Sequence, residues 1–344
     1  MYKKSLYLAV LTLILSSFAV MLNPLTLAYS DGSVTILVVD NTNASLGYMN
    51  ISDAILDANT SDIIYVNPGI YHESIVIDKS ISVISNDTNS TIINSLGGVY
   101  SVLLKSSNAT FSGFTVKNST IGIYLSGSNN TILDNIIINN TNGIYFENSS
   151  RYNVLSNNNI TNNDDAIILY NSSYNTISNN SIFNNSFFGM KFWDLSANNL
   201  IENNKIEECM RGLFLARWSN FNMIFNNTFS PGLSEGSGLL IEDSYYNDVQ
   251  GNLLLGCKYG LSLTNTHNNT IKNNTFEIND FGIYKKNADE ENLSEYNFFY
   301  DNGEDVKTFS NPPSIKLPRF EITMVILISF ILLFVFLFFP KKKK

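Results

Sequence analysis

Asparagine recurs along this chain on a regular beat. From Asn130 the same phrase returns at Asn153, Asn175, Asn199, Asn222, Asn247, Asn269 and Asn292, at intervals of 22 to 25 residues. Five residues after each stands another asparagine, at 135, 158, 180, 204, 227, 252, 274 and 297. Five further on, the series reads Asn140, Asn163, Asn185, Cys209, Gly232, Cys257, Asn279 and Asn302. Apolar residues keep the same register. Ile132, Leu155, Ile177, Ile201, Ile224, Val249 and Ile271 stand two after the first asparagine; Ile137, Ile160, Ile182, Ile206, Phe229, Leu254, Phe276 and Phe299 stand seven after it. Self-similarity of this period marks a solenoid.

The apolar spacing decides which solenoid. Repeats open with glycine and two apolar residues two apart, as in Gly122-Ile-Tyr-Leu, Gly143-Ile-Tyr-Phe and Gly212-Leu-Phe-Leu. A period of two is strand periodicity, not helical. Three short strands per repeat of about 22 residues, with a corner every five residues, predict an all-β, single-stranded parallel β-helix. Rungs stack about 4.8 Å apart, so like asparagines lie above one another and their amides can bond along the stack. Asparagine also tolerates the left-handed conformation of a tight corner, so the ladder asparagines are expected to occupy the corners and isoleucine the walls.

These rungs resemble the parallel β-helix repeats of the NosD-like, carbohydrate-binding and sugar-hydrolase group, within the pectin-lyase-like fold. The resemblance covers residues 34–303 and implies a right-handed helix. The segment Ile51-Ser-Asp-Ala-Ile-Leu-Asp-Ala58 reads as a short amphipathic helix, a capping helix in that family. Asp62-Ile-Ile-Tyr-Val-Asn-Pro-Gly-Ile-Tyr-His-Glu73 leads into the first coils.

The ends predict export and anchoring. Lys3 and Lys4, an apolar run from Leu6 to Leu22 and small residues near Ala28-Tyr29-Ser30 have the layout of a signal peptide over residues 1–30, an uncleaved anchor being the alternative. The β-helix domain is expected over 31–303 and is read as ending near Gly303, where Lys285 takes an inward apolar place and the pattern decays. A stalk over 304–320 contains Pro312, Pro313 and Pro318. A membrane anchor over 321–344 includes the charge-free run Ile322–Phe339 and the basic Lys341–Lys344, placing the C-terminus in the cytoplasm. This tail also loosely resembles archaeal surface-protein anchors that a sorting enzyme removes. Eighteen Asn-x-Ser/Thr sequons, among them Asn43, Asn108, Asn171 and Asn226, permit N-glycosylation, although the Asn/Thr-rich repeat generates many by itself.

The net charge of −9, without a basic stripe outside the two ends, argues against a nucleic-acid partner. Cys209 and Cys257 fall on one ladder two rungs apart, about 9.6 Å by the rung spacing. That is beyond the reach of a disulfide, so both read as unpaired. The family resemblance raises copper, but His72 and His267 lie too far apart to share a site, and no cofactor is implied.

Two groups of residues carry the functional expectations. Asp164 and Asp165, in Asn163-Asp-Asp-Ala-Ile167, resemble the adjacent aspartates of pectin-hydrolysing β-helix enzymes, and Asp194 is a third carboxylate. The Gly-His-Gly and Arg-x-Lys motifs of those enzymes do not occur, so turn roles are the plainer reading. The second group breaks the repeat: Tyr170, Lys191, Trp193, Asp194, Arg217, Trp218, Glu242 and Asp243. Aromatics beside charged hydrogen-bonding groups suit a sugar-binding face; a protein-partner contact is the alternative. The sequence therefore predicts a surface module contacting glycans or surface proteins. The alternatives are a polysaccharide hydrolase or lyase and a NosD-like accessory to a metalloenzyme.

Overall fold

A computed structural model describes residues 34–232, 236–288 and 296–309. The expected signal peptide, the membrane anchor and the stalk beyond Phe309 lie outside the described residues. The chain winds into a right-handed-type parallel β-solenoid of about eleven turns, the first ladder being an eleven-stranded parallel sheet. Each turn contributes three strands. In one central turn these are Val154–Ser156, Asn159–Thr161 and Asp165–Tyr170. In-register pairing aligns the inward residues of successive turns: Leu155 between Ile132 and Ile177, Ile160 between Ile137 and Ile182, and Ile167 between Ile144 and Met190.

All nine of these side chains are fully buried. Each such burial stabilises the fold by about 1.5–3 kcal/mol. A column of glycines lets rungs approach closely along the third ladder. A Cβ on Gly212 would lie 2.3 Å from the Gly238 carbonyl oxygen and 2.8 Å from the Phe229 ring.

The asparagine ladders form as the spacing requires. Asn153 donates its backbone N–H (2.9 Å) and its Nδ2 (3.1 Å) to Oδ1 of Asn175, and Nδ2 also reaches the Gly127 carbonyl at 3.2 Å. Asn158 and Asn163 repeat this on the other two corners, bonding to Asn180 and Asn185. The ladder asparagines of these rungs are at most 2% exposed. The ladder amides that the corners bury thus receive partners from adjacent rungs.

The expectation that a ladder asparagine itself takes the left-handed corner is corrected by the backbone. The positive φ falls on the residue immediately before it: Asn157 (54°) before Asn158, Asn162 (54°) before Asn163 and Asn179 (56°) before Asn180. Asn-Asn pairs thus divide two tasks. The first residue, in the left-handed region that asparagine tolerates, turns the chain; the second faces inward and satisfies buried groups.

At the N-terminal side, helix α1 (Ile51–Asp57) buries Ile51, Ala54 and Ile55 in the core. At the other side the ladder continues past Gly303, where the sequence reading ends it. Strand Glu304–Phe309 pairs in parallel with Phe281–Lys286, and Val306 packs against the core. Asn297 and Asn302 extend two of the asparagine ladders, accepting from the N–H groups of Asn274 and Asn279, which is why this last turn forms. Residues 304–309 therefore belong to the solenoid and not to a stalk. Lys285 does take an inward position, 2% exposed, between Leu263 and Thr308. Among the described residues no helix is long and apolar enough to cross a membrane.

Candidate functional site

The residues that break the repeat collect at one edge, where third-ladder strands end and the chain turns into the first ladder. Tyr170 and Trp193 are register partners at the ends of Asp165–Tyr170 and Ser181–Trp193. On the next rungs Arg217 and Trp218 follow Lys205–Leu215, and Glu242 and Asp243 close Ser237–Glu242. Backbone bonds stitch these turns together: Asn171 N–H to the Trp193 carbonyl, Leu195 to Arg217, and Trp218 to Asp243. The edge is therefore a hydrogen-bonded surface, not a set of independent loops.

Its aromatic and charged groups interlock. Arg217 Cζ lies 4.3 Å and Lys191 Nζ 4.7 Å from the Trp193 ring centre. Phe214, outward in register yet only 8% exposed, packs against both Phe188 and Trp193. Arg217 also reaches Asp194, Nη1 to Oδ1 at 3.5 Å. Two cations over one indole fix the ring by cation–π attraction and cover part of it. Trp218, 57% exposed, and Tyr170, 39% exposed, offer more free ring surface.

Residues outside the expected set extend this edge. Tyr152, Tyr174, Phe221 and Tyr246 all occupy the left-handed position before a first-ladder asparagine, with φ between 57° and 61°. They are 45–55% exposed, and two pairs stack at 5.3 and 5.1 Å between ring centres, Tyr152 on Tyr174 and Phe221 on Tyr246. Bulky residues are disfavoured at such φ, at a cost of order 1–3 kcal/mol each. The signal was present in the sequence: these positions hold asparagine at 129, 198 and 268, glutamate at 291, and an aromatic at 152, 174, 221 and 246.

Asp164 and Asp165 lie elsewhere, at the start of the third-ladder strand. Five strand residues separate Asp165 from the end where Asp194 sits, about 16 Å at ~3.3 Å per residue. A glycosidase pair needs about 5–9.5 Å, so Asp194 cannot pair with either. Asp164 lines an open, polar depression of about 490 Å³ with Gly97, Asn118, Thr120, Asn139 and Thr141. Burial pushes the Asp165 carboxyl above the usual carboxylate range; the Phe188 N–H, donating at 3.2 Å, and Lys191 oppose that rise, while Asp164 adds to it.

Residues 52–232 and 232–315 match the family described as periplasmic copper-binding protein (NosD). The chain belongs to the NosD family. A cell surface glycoprotein of Methanothermus fervidus is 32% identical over 260 residues, which cover 70% of this chain and 43% of that protein. The chain thus spans less than half the length of that relative. In fold it is similar to the A-module of the mannuronan C-5 epimerase AlgE6 of Azotobacter vinelandii, at TM-score 0.61 and 16% identity, covering 76% of this chain and 94% of the module. The catalytic domain of a GH87 α-1,3-glucanase superposes at TM-score 0.51 and 14% identity, covering 85% of this chain and 70% of that one. At these identities the likeness concerns the fold alone.

Among the described residues no three His, Cys, Asp or Glu side chains cluster as a metal site requires. His267 packs on Tyr245, with 4.2 Å between ring centres. Cys209 and Cys257 are unpaired and buried, as the register predicts, and burial pushes their thiols up to about 11 and about 12.

Proposed function

We propose that this NosD-family β-helix is a non-catalytic cell-surface module that binds glycan along the edge from Tyr152 to Tyr246. One observation carries the reading: exposed rings held in costly left-handed corners, beside Trp218, Arg217 and Asp243, on a hydrogen-bonded edge. Rings stack on the apolar faces of sugars while neighbouring charged groups bond hydroxyls. The relation to a cell surface glycoprotein supports an extracytoplasmic setting. In this reading helix α1 caps the N-terminal end of the solenoid. The apolar run Ile322–Phe339 followed by Lys341–Lys344 anchors the chain in the membrane with its C-terminus inside.

A glycan array probed with the purified chain tests the proposal. Binding should fall at least tenfold in the Trp193→Ala, Trp218→Ala double variant. Equal binding by the variant removes this edge as the site. If array binding is absent and a surface protein is captured through the same residues, the module is a protein-contact surface. Reducing-end release from an acidic polysaccharide, lost in Asp165→Asn, would instead assign it as a hydrolase or lyase.

A further inference from the structure

The division of work between paired asparagines also sorts the sequons. Two residues after an asparagine of the first or second ladder the side chain points into the core and is apolar, as Ile177 follows Asn175, Ile182 follows Asn180 and Phe229 follows Asn227. An Asn-x-Ser/Thr acceptor therefore cannot fall on those buried positions. Two residues after a corner asparagine stands the first, outward residue of the next strand, where Ser or Thr is admitted. The fold thus assigns the acceptor to the exposed left-handed residue and keeps the ladder residue as the middle of the tripeptide.

One corner carries this furthest. Asn179-Asn180-Ser181, Asn226-Asn227-Thr228 and Asn273-Asn274-Thr275 have φ of 56°, 54° and 56° at the acceptor, and all three acceptors are exposed. Their side chains make no hydrogen bond among the described residues. Register places Ser181, Lys205, Thr228, Leu253 and Thr275 in one column, so acceptors alternate with rungs that lack the hydroxyl. Successive acceptors are then two rungs apart, about 9.6 Å. Some other sequons are engaged or partly covered, while Asn108, Asn129, Asn139 and Asn268 are also exposed at left-handed corners but lie outside this column. Asn118 Nδ2 donates to Asn94 at 3.1 Å, Asn171 Nδ2 donates to Asn148 at 2.5 Å, and Asn159 is half-buried within a strand.

We propose that Asn179, Asn226 and Asn273 are N-glycan attachment sites that decorate one edge of the solenoid at every second rung. The donor class is a lipid-phosphate-linked oligosaccharide, delivered by a membrane oligosaccharyl transferase. The acceptor Nδ2 forms a bond to sugar C1, the C1–phosphate oxygen bond breaks, and the lipid phosphate leaves with the electron pair. One amide proton passes to base, and no oxidant or reductant takes part. The assignment requires exposure outside the cell and is independent of whether the aromatic edge binds sugar.

Site-resolved glycopeptide mass spectrometry on the chain purified from its own cells tests it. Glycan mass is expected on all three residues, with Asn118 and Asn159 bare. Thr228→Val should remove one glycan, at Asn226 only, and leave the far-ultraviolet circular dichroism and the melting temperature unchanged, since that side chain faces outward. Three unmodified acceptors would overturn the proposal, as would sugar on Asn118 or Asn159 with these three bare. Glycan persisting at Asn226 in T228V would overturn it too.

Discussion

Glu73 and Lys79, six residues apart in the chain, grip opposite ends of helix α1. Glu73 accepts from the N–H groups of Ile51 (2.8 Å) and Ser52 (2.9 Å), while Lys79 Nζ donates to the carbonyls of Ile55, Leu56 and Ala58 at 2.7–2.9 Å. Each charge sits at the helix end whose partial charge it complements. Lys79→Met should lower stability by about 1–2 kcal/mol, and Glu73→Gln by a similar amount because its single amide oxygen can accept from only one of the two N–H groups. Urea unfolding reads both; equal midpoints for Lys79→Met and the parent chain would refute the clamp.

The ladders set the next expectation. Asn180 Oδ1 accepts from both the N–H and Nδ2 of Asn158, and Asn180 Nδ2 reaches Leu155, Ser178 and Asn204. Asn180→Ala leaves several of these groups buried without partners, at roughly 1–3 kcal/mol each, so a loss of about 3 kcal/mol or more is expected. A corner change such as Asn157→Ala tests backbone strain alone and should cost less. A larger loss at 157 than at 180 in thermal unfolding would reverse the assigned roles.

Tyr174 sits at φ 61° and is 45% exposed. Tyr174→Asn should raise stability by about 0.5–1 kcal/mol by relieving that corner, less whatever its stack on Tyr152 contributes. The same change should weaken glycan binding. A variant that is both less stable and unaltered in binding would show the ring to be structural.

Asp165 supplies a pH signature. Its carboxyl titrates above the usual range when folded, chiefly through burial, so the native state holds this proton more tightly than the unfolded chain. The resulting stability is fully present below the ordinary carboxylate value and is lost as pH rises through the folded value. Asp165→Asn, whose amide oxygen can still accept from Phe188, should therefore melt higher than the parent near pH 7. The difference should shrink toward pH 4. A gap independent of pH would count against burial as the cause.

Thiol chemistry follows from the same register. With thiols pushed up to about 11 and about 12, Cys209 and Cys257 should resist alkylation in the native chain at pH 7.5 and react fully in guanidinium. Rapid native labelling of either, followed by mass spectrometry, would contradict its inward placement.

Much of this architecture was legible because a parallel solenoid writes its contacts into sequence spacing. Asn153 bonds to Asn175 because they share a position one repeat apart, and Leu155 meets Ile177 for the same reason. Other features escaped that logic. Left-handed backbone shifts by one residue from the asparagine that stands out, since a positive φ has no signature beyond tolerance, and Tyr174 occupies it as Asn198 does. The masking of Trp193 by Lys191 and Arg217 depends on side-chain rotation, which spacing does not encode. The final strand lacked the apolar pattern because its rung is half open, with Val306 alone in the inward apolar role of Ile283.

Repeats of 22, 23, 24 and 25 residues all keep the first two asparagine columns aligned, because the extra residues are taken up between the columns. A duplication of one whole repeat would therefore add a storey and leave every column continuous. A smaller insertion within a strand would break all the columns beyond it. The solenoid can therefore be lengthened or shortened by whole turns with its cross-section unchanged, whereas odd residues fit only between the columns.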